Sequence, residues 1–145
     1  MDNNPNAKTS IGMDGNVAAL LSYLVGIIGL IVLITEKENK FAKFHALQAF
    51  LFHVMFIPIF IVAFILFFAL NIIGGVIGAT LGNAGAIVGV IFSILGIIIW
   101  FAVIILGPLT IIGGSIYGAI QAYNSRWFKI PIVGKLAAKI LGINV

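Results

Sequence analysis

The pattern of polar and apolar positions divides this chain more sharply than any motif does. From residue 44 to residue 125 no Asp, Glu, Lys or Arg occurs. A charge at the centre of a membrane-spanning helix costs about 2.5–3.5 kcal/mol on insertion scales, so so long a stretch without one is shaped by hydrocarbon. Ahead of it, residues 17–35 form a first apolar segment, about 28 Å of helix and enough for one crossing. That segment stops at Glu36-Lys37-Glu38-Asn39-Lys40, a compact polar turn. Beyond the turn, residues 41–52 read as a lead-in at headgroup level and 46–70 as a second helix, with Pro58 predicting a kink near Val54. Residues 71–85 carry glycines at 74, 75, 78, 82 and 85 and read as a turn or partly re-entrant link on the far side. The last apolar stretch, 86–123, would make about 57 Å of helix, nearly twice a bilayer core, and Gly107-Pro108 predicts a break within it.

Charge orders these segments. Lys37, Lys40 and Lys43 lie in the loop 36–43, and Arg126, Lys129, Lys135 and Lys139 lie in the C-terminal tail. The basic-inside bias puts both groups on the cytoplasmic face, which requires an even number of crossings between them. The expectation is an all-α integral membrane helical bundle with three transmembrane helices and its N-terminus outside, in the cell membrane of a prokaryote. Two crossings around Gly107-Pro108, making four in all, is the competing architecture. A polar tail, 1–16, precedes the transmembrane domain, 17–125, and an interfacial segment, 126–145, follows it. Within that last segment Pro131 suits the start of a short amphipathic helix, with Lys135 and Lys139 on one face and Val133, Leu136 and Ile140 on another.

Composition narrows the function classes. The chain is 62% hydrophobic and 8% charged, against about 25% charged in soluble proteins. It has no cysteine, which removes disulfides, thiolate metal sites and thiol nucleophiles. The net charge of +4 does not point to nucleic acid, because seven of the eight basic residues flank apolar segments, where they meet anionic lipid headgroups.

Few residues in the apolar segments can do chemistry. His45 and His53 are the only imidazoles, with Gln48 between them, and a metal would need further ligands that their surroundings do not offer. Ser22, Ser93 and Ser115 stand isolated in apolar helix, where a hydroxyl bonds back to the preceding turn. No carboxylate lies in the apolar segments to act as general acid or base. No enzymatic activity, cofactor or metal is therefore expected. Gly114, Gly118 and Ala122 are small residues four apart in a helical run, a spacing that lets helices approach closely, within one chain or between subunits.

Two stretches carry a family resemblance. One runs from Tyr23-Leu24-Val25-Gly26 through Phe41-Ala42-Lys43-Phe44-His45-Ala46-Leu47-Gln48-Ala49. The other is Ala122-Tyr123-Asn124-Ser125-Arg126-Trp127-Phe128-Lys129-Ile130-Pro131-Ile132-Val133-Gly134. Together they resemble the Tic-twenty-like small membrane proteins, relatives of a chloroplast inner-envelope import component, to which a magnetosome membrane protein group is related. The resemblance implies a small helical bundle with both motif loops on one face, and a role in protein translocation or membrane-protein handling. On that basis His45 and Gln48 would face Arg126, Phe128, Lys129 and Pro131. The reading is a non-enzymatic bundle or scaffold subunit whose partners are the bilayer, other membrane subunits or further copies of itself. The alternatives are a small oligomeric channel or transporter subunit, and an accessory subunit of an unrelated complex.

Overall fold

The computed structural model describes residues 3–143, and all its regular structure is helical: α1 (Gly15–Leu24), α2 (Gly26–Thr35), α3 (Lys40–Val54), α4 (Phe56–Thr80), α5 (Gly82–Tyr123) and α6 (Val133–Leu141). Residues 1–2 of the expected polar tail and 144–145 of the expected interfacial segment lie outside the described residues. The chain divides into two compact units, residues 1–54 with 111–145, and residues 55–110. Two of its helical stretches, Lys40–Thr80 and Gly82–Tyr123, are long and apolar enough to cross a membrane.

The first segment is not the single continuous helix that its length predicts. It breaks at Val25, whose backbone is extended (φ −127°, ψ 92°), into two helices of ten residues. Each is about 15 Å long, half a hydrocarbon core. The two fold back on one another: a Cβ added at Gly29 would lie 2.8 Å from the carbonyl oxygen of Ser22. Seven residues along a straight helix would separate those positions by about 10 Å. The start of α1 consequently returns to the end of α2. Asn39 Nδ2 donates to the carbonyls of Asn4 (3.1 Å) and Ala7 (2.8 Å). The Ser10 amide donates to Glu36 Oε2 (2.9 Å), and the Lys37 amide to Ser10 Oγ (3.1 Å).

Helix α3 begins where Asn39 caps it, Oδ1 accepting from the Ala42 amide at 3.0 Å. It buries Phe41, Phe44, Ala46 and Ala49 against α1, α2 and α6. The helix ends at Val54, the position from which Pro58 withholds an amide.

The second unit is a helical hairpin. Residues 71–80, read from sequence as part of a link, are the last turns of α4, and the reversal is confined to Leu81 and Gly82, the latter at φ +59°. The glycines serve packing rather than looping. A Cβ on Gly74 would lie 2.7 Å from the Gly89 carbonyl, and one on Gly89 2.5 Å from that of Gly74. Further along, Trp100 packs on Phe64 and Phe67 with ring centroids 5.7 and 5.9 Å apart. Gly107-Pro108 does not break the chain, because α5 continues through Pro108 for 42 residues. A proline removes one amide bond of the ladder, and the long run of intact bonds on either side carries the helix through it.

Candidate functional site

The polar side chains converge in the first unit, where α1 and α3 meet the segment between α5 and α6. His45 and Gln48 lie three apart on α3 and are fully buried; Tyr23 reaches them from the last turn of α1. His45 Nε2 is 3.1 Å from the carbonyl oxygen of Arg126 and therefore carries the proton in this tautomer. Its Nδ1 then accepts, at 3.1 Å, from the Tyr23 hydroxyl. Gln48 Nε2 donates to the Tyr23 hydroxyl oxygen and, at 3.1 Å, to the carbonyl of Phe128. Gln48 Oε1 accepts from the Ile130 amide at 3.0 Å. The outcome is a one-way chain of donors with every member used.

Aromatic rings close over it. Phe41 and Phe44 lie 4.5 and 5.1 Å from the His45 ring, and Trp127 packs edge-on against Phe41 at 5.1 Å and tilted against Phe44 at 5.5 Å. Glycines permit the approach. A Cβ at Gly134 would run into Gln48 Oε1 and the Lys129 backbone, and one at Gly118 would lie 2.7 Å from the Tyr23 ring. Gly114 faces Phe52 in the same way, and Ala122 is fully buried. Gly114, Gly118 and Ala122 thus line the face of α5 that receives α1 and α3.

The second motif contributes backbone more than side chains. The Arg126 guanidinium is outside the network, Nη1 donating to Gln121 Oε1 at 3.4 Å, and the Phe128 ring packs on Tyr117 at 5.0 Å. Lys129 lies beneath Gly134. The Pro131 carbonyl accepts from the Val133 amide at 2.9 Å across Ile132, which is held at φ 69°, ψ −67°. Such a turn at a β-branched residue costs about 1–3 kcal/mol and persists only where its surroundings impose it. Here the Ile130 bond to Gln48 on one side and the docking of α6 on the other do so. Tyr23 and Ile132 both fall within the two motif stretches, but neither was singled out as a contact. The first needs the bend at Val25, and the second is a backbone property that no side chain announces.

Beside this network, Glu36 organises the turn before α3. Burial pushes its carboxyl up, but the amides of Asn39, Glu38 and Ser10, with the Ser10 hydroxyl, outweigh that and hold it below the usual carboxylate range. His53 is also engaged, Nδ1 to the Ala49 carbonyl (2.7 Å) and Nε2 to Ser115 Oγ (3.2 Å). Among the described residues every buried side-chain nitrogen and oxygen has a hydrogen-bond partner.

Residues 8–137 match the magnetosome magnetite crystal formation protein family. A UPF0132 membrane protein of Archaeoglobus fulgidus is 31% identical over 131 residues, covering 90% of this chain and 98% of that protein. A UPF0132 membrane protein of Methanocaldococcus jannaschii is 30% identical over 131 residues, 90% of this chain and 72% of its own length. A second from the same organism is 54% identical over 43 residues, 29% of this chain and 39% of its own length. No solved structure matches. These matches overturn the Tic-twenty-like resemblance, since both motifs fall inside the range assigned to a different family, and the protein-import role it implied falls with it.

Proposed function

We propose, from the premise that this chain belongs to the magnetosome magnetite crystal formation protein family, that it is a non-enzymatic scaffold subunit of a membrane assembly. The observation that carries this is that, among the described residues, every buried side-chain nitrogen and oxygen has a hydrogen-bond partner. Tyr23, His45 and Gln48 spend their donors and acceptors on fixing the backbone of 126–130, which makes the site a clasp and leaves no group free to react. A solute pathway is disfavoured for a related reason. Asn71, Thr80 and Thr110 bond back to the carbonyls of Phe67, Val76 and Leu106 in their own helices, so they do not offer themselves to a pore.

Direct contact with mineral is not part of this reading. A mineral-facing surface calls for clustered hard carboxylate ligands. The chain has four acidic residues, of which Asp14 pairs with Lys8 at 2.8 Å and Glu36 is spent on the loop before α3. The role assigned is to organise membrane and partner chains.

In the proposed topology the α4–α5 hairpin makes two crossings and the α1–α2 pair dips into the bilayer and returns. The N-terminal tail, the loop 36–43 and the C-terminal segment then share the cytoplasmic face, in place of a three-crossing arrangement with the N-terminus outside. Its support is the bonding of residues 4–10 to Glu36 and Asn39, with Asn16 Nδ2 donating to the Tyr123 carbonyl at 3.2 Å. On this face α6 meets anionic headgroups. Affinity purification from native membranes in mild detergent tests the function: a companion chain or a second copy should be recovered in fixed stoichiometry. Ion or solute flux through liposomes containing the purified protein alone would overturn it.

A further inference from the structure

Between the first turn of α3 and the end of α6 lies a cleft of about 220 Å³ lined by Lys40, Lys43, Ile140, Leu141 and Ile143. Two cations share it with three aliphatic side chains, and among the described residues no carboxylate lines it. Lys43 is held in place by one bond, Nζ to the Glu36 carbonyl at 2.8 Å, which leaves two of its three donors available. The Glu36 carboxylate does not compete for the lysine, being turned to the amides of Ser10, Glu38 and Asn39. The outer surface of α6 continues the apolar wall. Ile132, Leu136 and Ile140 are 71%, 43% and 56% exposed, four residues apart, with Lys135 and Lys139 exposed beside them.

We propose that this cleft seats one anionic phospholipid, its phosphodiester between Lys40 and Lys43 and the start of its acyl region against Ile140, Leu141 and Ile143. A small inorganic anion would satisfy the lysines but leave the aliphatic wall in water; a zwitterionic lipid would bring its own cation to two others. An anionic phospholipid matches both halves of the lining and is abundant where α6 is placed. The proposal rests on the reading above that α6 lies at the headgroup level. It adds to that reading a saturable site of defined stoichiometry, where general attraction to a charged surface would give neither.

The test is native mass spectrometry of the protein in neutral detergent, titrated with dioleoyl phosphatidylglycerol or dioleoyl phosphatidylcholine. One phosphatidylglycerol should be retained at saturation, and phosphatidylcholine should not. Lys40→Gln, which leaves the Lys43–Glu36 bond intact, and Lys40→Gln/Lys43→Gln should weaken retention, the double variant about tenfold. Lys135→Gln/Lys139→Gln should leave the single site unchanged. Equal retention of the two lipids, native-like retention by the double variant, or displacement by millimolar inorganic phosphate would each overturn the proposal. The membrane placement of α6 is tested separately, by quenching of a fluorophore at Leu136→Cys with nitroxide-labelled lipids. Absence of quenching there, with phosphatidylglycerol still retained, would sink the placement and leave the site standing.

Discussion

Glu36 shows how much one side chain settles in this protein. Its two oxygens accept from three backbone amides and a hydroxyl, and through Ser10 they tie the N-terminal segment to the turn before α3. Because these donors favour the ionised form, the folded pKa lies below the ordinary value of about 4.3. A depressed carboxylate stabilises at all pH above its unfolded value and loses that contribution as pH falls through the folded value. Glu36→Gln should therefore lower the melting temperature in detergent at pH 7, since its amide would place a donor against the Ser10 amide. The gap between variant and native protein should narrow as pH falls through the depressed folded value, where the native carboxyl itself takes up a proton. A gap of constant size from pH 7 to pH 3 would show that the charge is irrelevant. Sequence reasoning assigned Glu36 to a polar turn and no further, because its partners at Ser10 are 26 residues away and local spacing does not report them. For His45 and Gln48 the sequence showed only two polar residues three apart on one helix; that they would face the second motif was an implication of the family resemblance and not of their spacing. What spacing could not supply was that the partners would be the carbonyls of Arg126 and Phe128 and the amide of Ile130, since a backbone group leaves no signature in residue type.

At the scale of elements, the glycines separate packing from turning. The run 71–85 resembles a loop by composition, yet all of its residues but Leu81 are helical, and the close approach of Gly74 and Gly89 explains why. In lipid there is no hydrophobic drive to bring helices together, so contact through small residues supplies the attraction. Gly89→Val would put a side chain into the Gly74 carbonyl and should cost about 1–3 kcal/mol or more, in the range of overpacked cores. Gly75→Ala, where an added Cβ meets nothing within 4 Å, should be neutral or slightly stabilising. Thermal denaturation of both variants in the same detergent checks the pair, and equal effects would mean that the hairpin does not depend on the glycine contact. The same contrast explains which boundaries were legible. Hydropathy located the apolar helices and the polar turn, because burial in oil acts on every residue of a segment. It missed the break at Val25, where a β-branched residue within an unbroken apolar run turns the backbone, and it placed one at Pro108, where the helix runs on.

For the molecule as a whole, the decisive quantity is the number of times the chain passes through the bilayer. Charge placed the loop 36–43 and the tail on one side by expectation, and the two helical stretches between them long and apolar enough to cross a membrane are compatible with that rule. The N-terminus was placed outside by counting residues 17–35 as one crossing from that side; Lys8, which pairs with Asp14 at 2.8 Å, gave no separate signal. The proposed topology draws on helix length. Two ten-residue helices folded at Val25 are each about half as long as a core of about 30 Å. The hydrogen bonds from Asn39 to Asn4 and Ala7 hold the N-terminal tail beside the turn before α3, which is why we propose that tail and turn share one side. The native chain has no cysteine, so single introduced thiols at Asn3, Glu38, Leu81 and Lys139, all exposed, can be read one at a time with a membrane-impermeant maleimide on oriented vesicles. Positions 3, 38 and 139 should label from one side and position 81 from the other. A single passage through 17–35 would instead put position 3 with position 81. That result would mean that the α1–α2 bend opens in a bilayer and that the bonds joining the tail to Glu36 and Asn39 do not form there.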